Sequence, residues 1–326
     1  MRLGAVFLTL VLSIPLRAQD VALPGDVVTV GTCFDFMGLN TCGEYADVRR
    51  PDGSDKFFLR LRPLFGMMSD ILYDPDGTLH TVHFFEIRTY SASFQEISTR
   101  NFYNGGPAAL AMNQDLTLFA LFRNGMVIPF PKSRAALPDF QVPLSVGYRL
   151  RSGDLALDQC TMYYMESSQF GETRLKRYDI CRNVALPDVQ VDFPRCISSE
   201  VRVGRDGSVF VEACSAVYHI STGGAVRIYA LPLARSINPR SIALAPDSRS
   251  FWTVESWENT LIEVDIATGS ILRGPLPTGR FTEAMTIYGT PRAAVLANIT
   301  AIPTVSHSVL ALFALAAITI ALTRLG

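Results

Sequence analysis

The chain has 326 residues, a formal net charge of -1 and 48% hydrophobic residues. No basic excess points to a nucleic-acid partner, and the length allows either two ordinary domains or one large all-β unit. Its six cysteines, at positions 33, 42, 160, 181, 196 and 214, contain no Cys-x-x-Cys pair, which argues against a zinc ribbon or a thioredoxin-like motif.

Residues 1–18 read as a signal peptide. Met1-Arg2 gives a positive start, Ala5 to Leu16 an apolar segment, and Ala18 a small residue before a cut at Gln19. Arg17 beside the cut is atypical, so the exact cleavage point stays open. In an exported chain an even cysteine count favours disulfides over metal thiolates. The simplest pairing joins sequence neighbours: Cys33–Cys42, Cys160–Cys181 and Cys196–Cys214. Residues 19–299 are the expected folded domain. Within it, Asp26 to Thr32 reads as an extra strand or a lead-in segment. Glu44 to Arg50 and Lys56 to Arg62, joined by Pro51-Asp-Gly-Ser54, read as a hairpin. Arg49-Arg50 and Arg60 with Arg62 are expected as edge charges that discourage strand addition.

From Asp70 onward one pattern recurs: an apolar β-rich run, a turn rich in Asp, Gly and Pro, then a second run. The copies are Asp70-Ile-Leu-Tyr-Asp-Pro-Asp-Gly77, Ala109-Leu-Ala-Met-Asn-Gln-Asp115, Asp154-Leu-Ala-Leu-Asp-Gln159, Glu200-Val-Arg-Val-Gly-Arg-Asp-Gly207 and Ser241-Ile-Ala-Leu-Ala-Pro-Asp247. A weaker sixth is Ala284-Met-Thr-Ile-Tyr-Gly289. Aligned on Asp74, Asn113, Asp158, Gly204, Ala245 and Gly289, they recur every ~39–46 residues, the period of four-stranded propeller blades. Such turns suit tight hairpins, and no long helical periodicity interrupts them. The expectation is an all-β, six-bladed β-propeller. Its sixth unit would supply only strands at 283–288 and 292–298, so its outer strands would come from the N-terminal hairpin. That mixed blade would close the ring and protect open strand edges.

The fifth copy is the best preserved. Phe251-Trp-Thr-Val-Glu-Ser-Trp-Glu-Asn-Thr-Leu-Ile-Glu-Val-Asp-Ile-Ala-Thr-Gly269 resembles blades of the NHL, YVTN and virginiamycin-lyase-like propellers, and Val217 to Gly224 repeats its closing turn. The resemblance is one of fold family and spans about residues 69–290. The gluconolactonase-like group is similar in blade count and uses Glu, Asn and Asp around a calcium-type ion. No motif specific to that group or to the lyases maps onto this chain.

The second strands of the repeats end at His83, Phe122, Glu166, Glu212, Glu255 and Asn298. Taken as equivalent, His83, Glu166, Glu212, Glu255 and Asn298 would meet at one rim. Carboxylates, an amide and an imidazole there suit a divalent cation, and a carboxylate of raised pKa suits a general base. The competing reading is a set of solvated strand ends. Trp257, in the loop after Glu255, is the best single candidate for a ligand contact. His80 and His83 sit three apart on a strand, on opposite faces, and so make a poor chelate. His219 has no neighbouring acid in sequence. Tyr163, Tyr164, Phe251 and Trp252 read as core between blades. Gly-x-Ser-x-Gly, Gly-x-Gly-x-x-Gly and the phosphate-loop pattern are absent.

Residues 300–326 form a separate segment. Ile302-Pro-Thr-Val-Ser306 precedes an apolar run from Val309 to Thr323, which includes Leu312, Phe313 and Ile318, and Arg324 follows. The run is short for a membrane span. The segment resembles the IPTL-CTERM family of bacterial C-terminal sorting signals, with Val305 for the usual Leu and His307-Ser308 where that family commonly has Glu-Trp. The resemblance implies a Gram-negative envelope protein whose C-terminal helix meets the membrane and a sorting protease. An ordinary single-span anchor is the alternative.

These features together describe an exported binding module at the inner membrane, in the periplasm or on the cell surface, whose ligand is an envelope protein or a glycan. No catalytic residue or cofactor is predicted, although the rim has room for a divalent cation. The alternative is a metal-dependent lactonase or lyase of the propeller type, using Glu166, Glu212, Glu255 and His83.

Overall fold

The computed structural model describes residues 22–33, 43–62, 68–83, 85–102, 105–132, 137–195, 199–214, 216–231, 240–255, 260–278 and 282–287. The signal-peptide residues, the segment 300–326 and the expected strand at 292–298 lie outside the described residues. The architecture is all-β, and no helix occurs among the described residues. In chain order the strands are β1 (Val27–Cys33), β2 (Gly43–Arg49), β3 (Asp55–Arg62), β4 (Met68–Tyr73), β5 (Leu79–His83), β6 (Glu86–Tyr90), β7 (Glu96–Asn101), β8 (Pro107–Met112), β9 (Leu118–Phe122), β10 (Met126–Phe130), β11 (Phe140–Gln141) and β12 (Tyr148–Leu155). They continue with β13 (Thr161–Ser168), β14 (Thr173–Asp179), β15 (Val184–Val189), β16 (Ser199–Val203), β17 (Val209–Ala213), β18 (Ala216–Ile220), β19 (Val226–Ala230), β20 (Arg240–Leu244), β21 (Ser250–Glu255), β22 (Thr260–Asp265), β23 (Ile271–Pro277) and β24 (Thr282–Ile287). They form six four-stranded sheets, the blades of a six-bladed β-propeller.

Blades 1 to 5 are up-and-down meanders of consecutive strands: β4–β7, β8–β11, β12–β15, β16–β19 and β20–β23. Blade 6 has the order β24-β1-β2-β3, so the two chain ends share one sheet, as the incomplete sixth repeat predicts. Asp26 to Thr32 is more than a lead-in. It forms most of β1, which takes the place beside β24, pairing Val27 with Ile287 and Val30 with Ala284. The predicted hairpin is β2 and β3.

Contacts divide the chain into two compact units, Met1–Pro107 with Asn238–Thr290 and Ala108–Ile237 with Pro291–Gly326. The first holds blades 1, 5 and 6. Its cores lie between neighbouring blades: Val28, Val30 and Ala46 of blade 6 pack with Ile71, Tyr73, Leu79 and Tyr90 of blade 1. Val27, Met285 and Ile287 pack with Trp252, Val254 and Leu261 of blade 5. Arg49, expected at an exposed edge, is instead buried. Its guanidinium donates to Pro277 O at the end of blade 5 (2.6 Å) and to Asp47 Oδ2 (3.1 Å). The sequence shows a pair of adjacent arginines, but only the strand's alternation turns Arg49 inward and leaves Arg50 outside.

The second unit holds blades 2, 3 and 4. Leu121 and Val127 of blade 2 pack with Leu150, Leu155, Met162 and Tyr164 of blade 3. Met165 and Leu175 on the other face of blade 3 pack with Val201, Val209 and Val211 of blade 4. Blades 3 and 6 are thus covered on both faces, so their inner strands carry near-continuous apolar text where a one-faced sheet would alternate. Polar tethers add direction to this packing. Ser152 Oγ accepts the Val201 amide (3.1 Å) and Asp154 Oδ2 accepts the Val203 amide (2.9 Å). Ser241 Oγ, at the place in blade 5 equivalent to Ser152, accepts the Met285 amide of blade 6 (2.9 Å).

The hairpin turns follow the predicted Asp, Gly and Pro text. Gly77 and Gly207 take the left-handed position at φ 87° and 81°. Gln159 and Ser248 occupy that region in blades 3 and 5 without being glycine. In blade 3 the residue equivalent to Asp74 is Ala156, not Asp158. Ala156 donates to Thr161 O, as Asp74 donates to Thr78 O, and the longer turn moves the register.

Candidate functional site

Strand pairing fixes which residues are equivalent between blades. The turn-proximal pairs Tyr73–Leu79, Leu155–Met162, Val203–Val209 and Leu244–Phe251 correspond. Counting from them, His83, Glu166 and Glu255 occupy one register position, and its counterpart in blade 4 is Ala213. Glu212 lies one residue earlier, at the position of Val82 and Met165. Successive strand residues point to opposite faces, so Glu212 and Glu166 approach opposite faces of their sheets. In blade 6 the second-strand position belongs to β1, while Asn298 and Trp257 lie outside the described residues.

His83 and Glu166 of this set have individual partners. His83 is buried, and its Nε2 lies 2.7 Å from Thr81 Oγ1. His80, facing the other way, bridges Asp74 Oδ1 (3.0 Å) and Thr89 Oγ1 (3.1 Å). Glu166 is fully buried. Its carboxylate accepts the Ser145 amide (2.8 Å) and the Ser145 hydroxyl (2.5 Å), with Lys176 Nζ at 3.8 Å. It therefore fastens the segment that leads into β12. Tyr164, two residues before it, donates its hydroxyl to Pro143 O (2.6 Å) on the same segment, and burial raises its pKa, with the Glu166 charge adding. The expected core placement of Tyr163, Tyr164, Phe251 and Trp252 holds: Tyr164, Phe251 and Trp252 are buried, and Tyr163 packs against the core between blades 3 and 4.

The segment fastened by Glu166 walls a groove of about 600 Å³ on blade 3. Val146 and Phe170 stand in solvent at its sides, 101% and 76% exposed, and Arg149 and Arg151 line it from β12. A bulge places the second arginine. Leu150 pairs with Glu166 and Ser152 with Met165, so Arg151 is the extra residue of the ladder. Bulges re-aim side chains in this way, and Arg151 Nε donates to Ser167 Oγ (2.6 Å). Arg123, at the end of the second strand of blade 2, joins the cluster; its carbonyl accepts the Leu150 amide (3.0 Å). Partial burial lowers the pKa of Arg123 and Arg151, and the mutual repulsion of Arg123, Arg149 and Arg151 lowers it further. The nearest acid of the groove, Glu172, is turned elsewhere. It accepts the Tyr148 hydroxyl (2.5 Å), which raises the tyrosine pKa, while Arg174 lies over the Tyr148 ring at 4.6 Å. Tyr148 and Glu172 separate this groove from a second hollow of about 560 Å³ that includes Arg174 and Arg195.

None of these arginines stands out in the sequence as a site. The available signal is Tyr148-Arg-Leu-Arg151, where alternation would put both arginines on one face. The bulge and the arrival of Arg123 from another blade are not written there.

Cys160 and Cys181 are disulfide-bonded, as neighbour pairing predicts, and Cys214 is disulfide-bonded too. Cys160, Asp179 and Cys181 bring three potential ligand atoms together among the described residues. The two sulfurs are joined to each other, and Asp179 Oδ1 accepts the Cys181 and Arg182 amides (3.0 and 2.8 Å), so this group serves the turn between β14 and β15.

No family model and no curated protein matches the sequence. Solved structures match the fold. The chain is similar to virginiamycin B lyase from Staphylococcus aureus, with 13% identity and a TM-score of 0.50 over 65% of this chain and 72% of that one. It is also similar to a chain in a nidogen/laminin complex, with 11% identity and a TM-score of 0.56 over 81% of this chain and 98% of that one. Both likenesses concern the fold.

Proposed function

We propose that the protein is an exported, non-catalytic binding module of the cell envelope that engages a ligand through the loop side of blade 3, and that its C-terminal segment sorts or tethers it. The observation that carries the reading is the blade 3 groove. Exposed apolar side chains, Val146 beside the Ser145 that a buried carboxylate holds and Phe170 in the turn after β13, line one groove with Arg149 and Arg151. Rigid support under an exposed, chemically mixed surface is what a recognition site requires, and large exposed apolar groups mark interaction sites. Glu166 supports the same reading, since its carboxylate is occupied in holding the loop. One similar structure is that of a nidogen/laminin complex, an assembly of two proteins, so the fold is compatible with a binding role. The signal-peptide-like start and the Ile302–Arg324 text support export and retention.

The test is a pull-down from envelope extract with full-length wild-type protein and a Phe170→Ser variant. The reading expects a wild-type partner that Phe170→Ser loses; identical capture by both proteins counts against this surface. Deleting residues 302–326 is expected to release the protein to the periplasm or medium, and unchanged membrane association would refute the tether.

A further inference from the structure

We propose that the blade 3 groove is a receptor site for an acidic peptide segment carrying at least one apolar side chain. This deepens the binding-module reading and rests on it. Arg149 and Arg151 line the groove together, and Arg123 at the end of β9 in blade 2 stands near enough for the three charges to repel one another. Like charges held in proximity cost energy in the free protein, and an anion placed among them relieves that cost.

The fold holds this arrangement deliberately in place. Arg123 is tied to β12 through its backbone, Arg151 is aimed by a bulge and anchored on Ser167, and Arg149 lies two residues before Arg151 on the same strand. No carboxylate among the described residues forms an ion pair with Arg149 or Arg151. Glu172 lines the same groove but spends its oxygens on Tyr148 and, at 3.8 Å, on Arg195. The site therefore presents planar donors suited to carboxylates, which arginine binds in bidentate fashion.

The groove walls choose among anions. Val146 and Phe170 are exposed and line the groove together with Arg149 and Arg151. A simple inorganic anion leaves them uncovered. A polyanionic sugar chain offers few apolar groups to cover them, and neither residue is the broad, polar-edged platform that sugar stacking favours. A peptide alternating acidic and apolar side chains satisfies both, and the adjoining hollow past Tyr148 gives it room to continue. Charge at the rim steers encounter and the apolar wall slows release, the usual division of labour in peptide recognition.

The experiment uses full-length protein in detergent and a fluorescein-labelled hexapeptide alternating glutamate with leucine, read by anisotropy. Parallel titrations use the same peptide with glutamine for glutamate, and an oligogalacturonate competitor. The expected result is that glutamine substitution in the peptide weakens binding by about tenfold or more. Arg149→Gln is expected to weaken it several-fold and Arg149→Glu more strongly, while the thermal midpoint of both variants stays at the wild-type value. Phe170→Ser is expected to weaken binding without changing its salt dependence. Equal binding of the two peptides, or unchanged binding by Arg149→Glu, overturns the proposal. Displacement by oligogalacturonate at lower concentration than by unlabelled peptide overturns it in favour of an acidic glycan. The envelope pull-down repeated with Arg149→Glu separates the two readings. Partner capture that survives alongside absent peptide binding removes only the acidic-peptide assignment. Capture by neither protein removes the binding-module reading as well.

Discussion

Replacing Glu166 tests whether this buried carboxylate is a structural clamp or a chemical group. In the wild type it has no solvent exposure, and it receives two hydrogen bonds from Ser145, at 2.8 Å from the amide and 2.5 Å from the hydroxyl. Hydrogen bonds to charged groups contribute about 1.5–3 kcal/mol each. Glu166→Ala removes both acceptors and leaves a cavity. Lys176 is not stranded, because Asp188 Oδ2 lies 3.2 Å from its Nζ. Arg174 Nη1 still reaches Ser145 Oγ at 3.0 Å, so part of the loop's anchoring survives. The expected loss is about 3 kcal/mol for Glu166→Ala and about 1–2 kcal/mol for Glu166→Gln, which keeps one acceptor oxygen.

Urea denaturation measures these losses, and hydrogen exchange localises them. The Ser145 amide should lose its protection in Glu166→Ala, and Arg149→Glu should leave that protection intact. A stability loss under about 1 kcal/mol, or a Ser145 amide still protected without the carboxylate, would refute the clamp. So would a thermal midpoint that rises with added calcium in the wild type and fails to rise in Glu166→Gln, because that result assigns the carboxylate to an ion.

Asp154→Ala strands the buried Val203 amide and should cost about 2 kcal/mol in urea denaturation, whereas Ser152→Ala and Ser241→Ala, each losing a neutral acceptor, should cost about 1 kcal/mol. Replacing Cys160 and Cys181 together by serine opens a loop of sequence separation 21, and chain entropy sets the expected loss at about 3 kcal/mol, measured against the wild type under non-reducing conditions. His219 stacks on Phe210 with ring centroids 4.4 Å apart, and burial holds its pKa below the ordinary 6.5. The unfolded chain then binds the proton more readily, so the stability of the neutral form is present above pH 6.5 and lost as pH falls below it. His219→Phe should flatten the pH dependence of the urea midpoint in that acidic window, and an unchanged slope would exclude His219 as its source.

The repeat was legible because hairpins announce themselves through turn chemistry. Asp74-Pro-Asp-Gly77 and Gly204-Arg-Asp-Gly207 mark where the first strand ends, and the inner strands of blades 1 to 5 fall where the copies predict, while in blade 6 β24 does so and β1 takes the place next to it. The shared sheet of the two chain ends was legible too, since a sixth copy without outer strands needs them from elsewhere. Residue-level equivalence was not. The turn after β12 is longer than those in blades 1 and 4, which displaces Asp158 from the position given to it. Glu212 falls one place short of Glu166 because an acid after an apolar run looks the same whichever face it takes. Pairing geometry resolves such a one-residue slip, and composition does not. Arg49 and the Arg123–Arg149–Arg151 cluster share the same difficulty, because each depends on which side of a strand or which blade a side chain meets.

A repeat propagates backbone geometry, while each register position is filled independently. The position of Glu166 is histidine in blade 1 and alanine in blade 4. The text common to all copies therefore describes the scaffold, and chemistry is to be sought where one copy departs from it. Blade 3 departs most. Its two inner strands run to eight residues each, against five or six in blades 1, 2, 4 and 5. It carries the Cys160–Cys181 bridge at one end and, at the other, the bulged Arg151 with the loop clamped by Glu166. The clamp fixes the segment that leads into these longer strands. The proposed site draws most of its side chains from this blade, with Arg123 arriving from blade 2. That departure is why the groove is proposed as the place of a ligand.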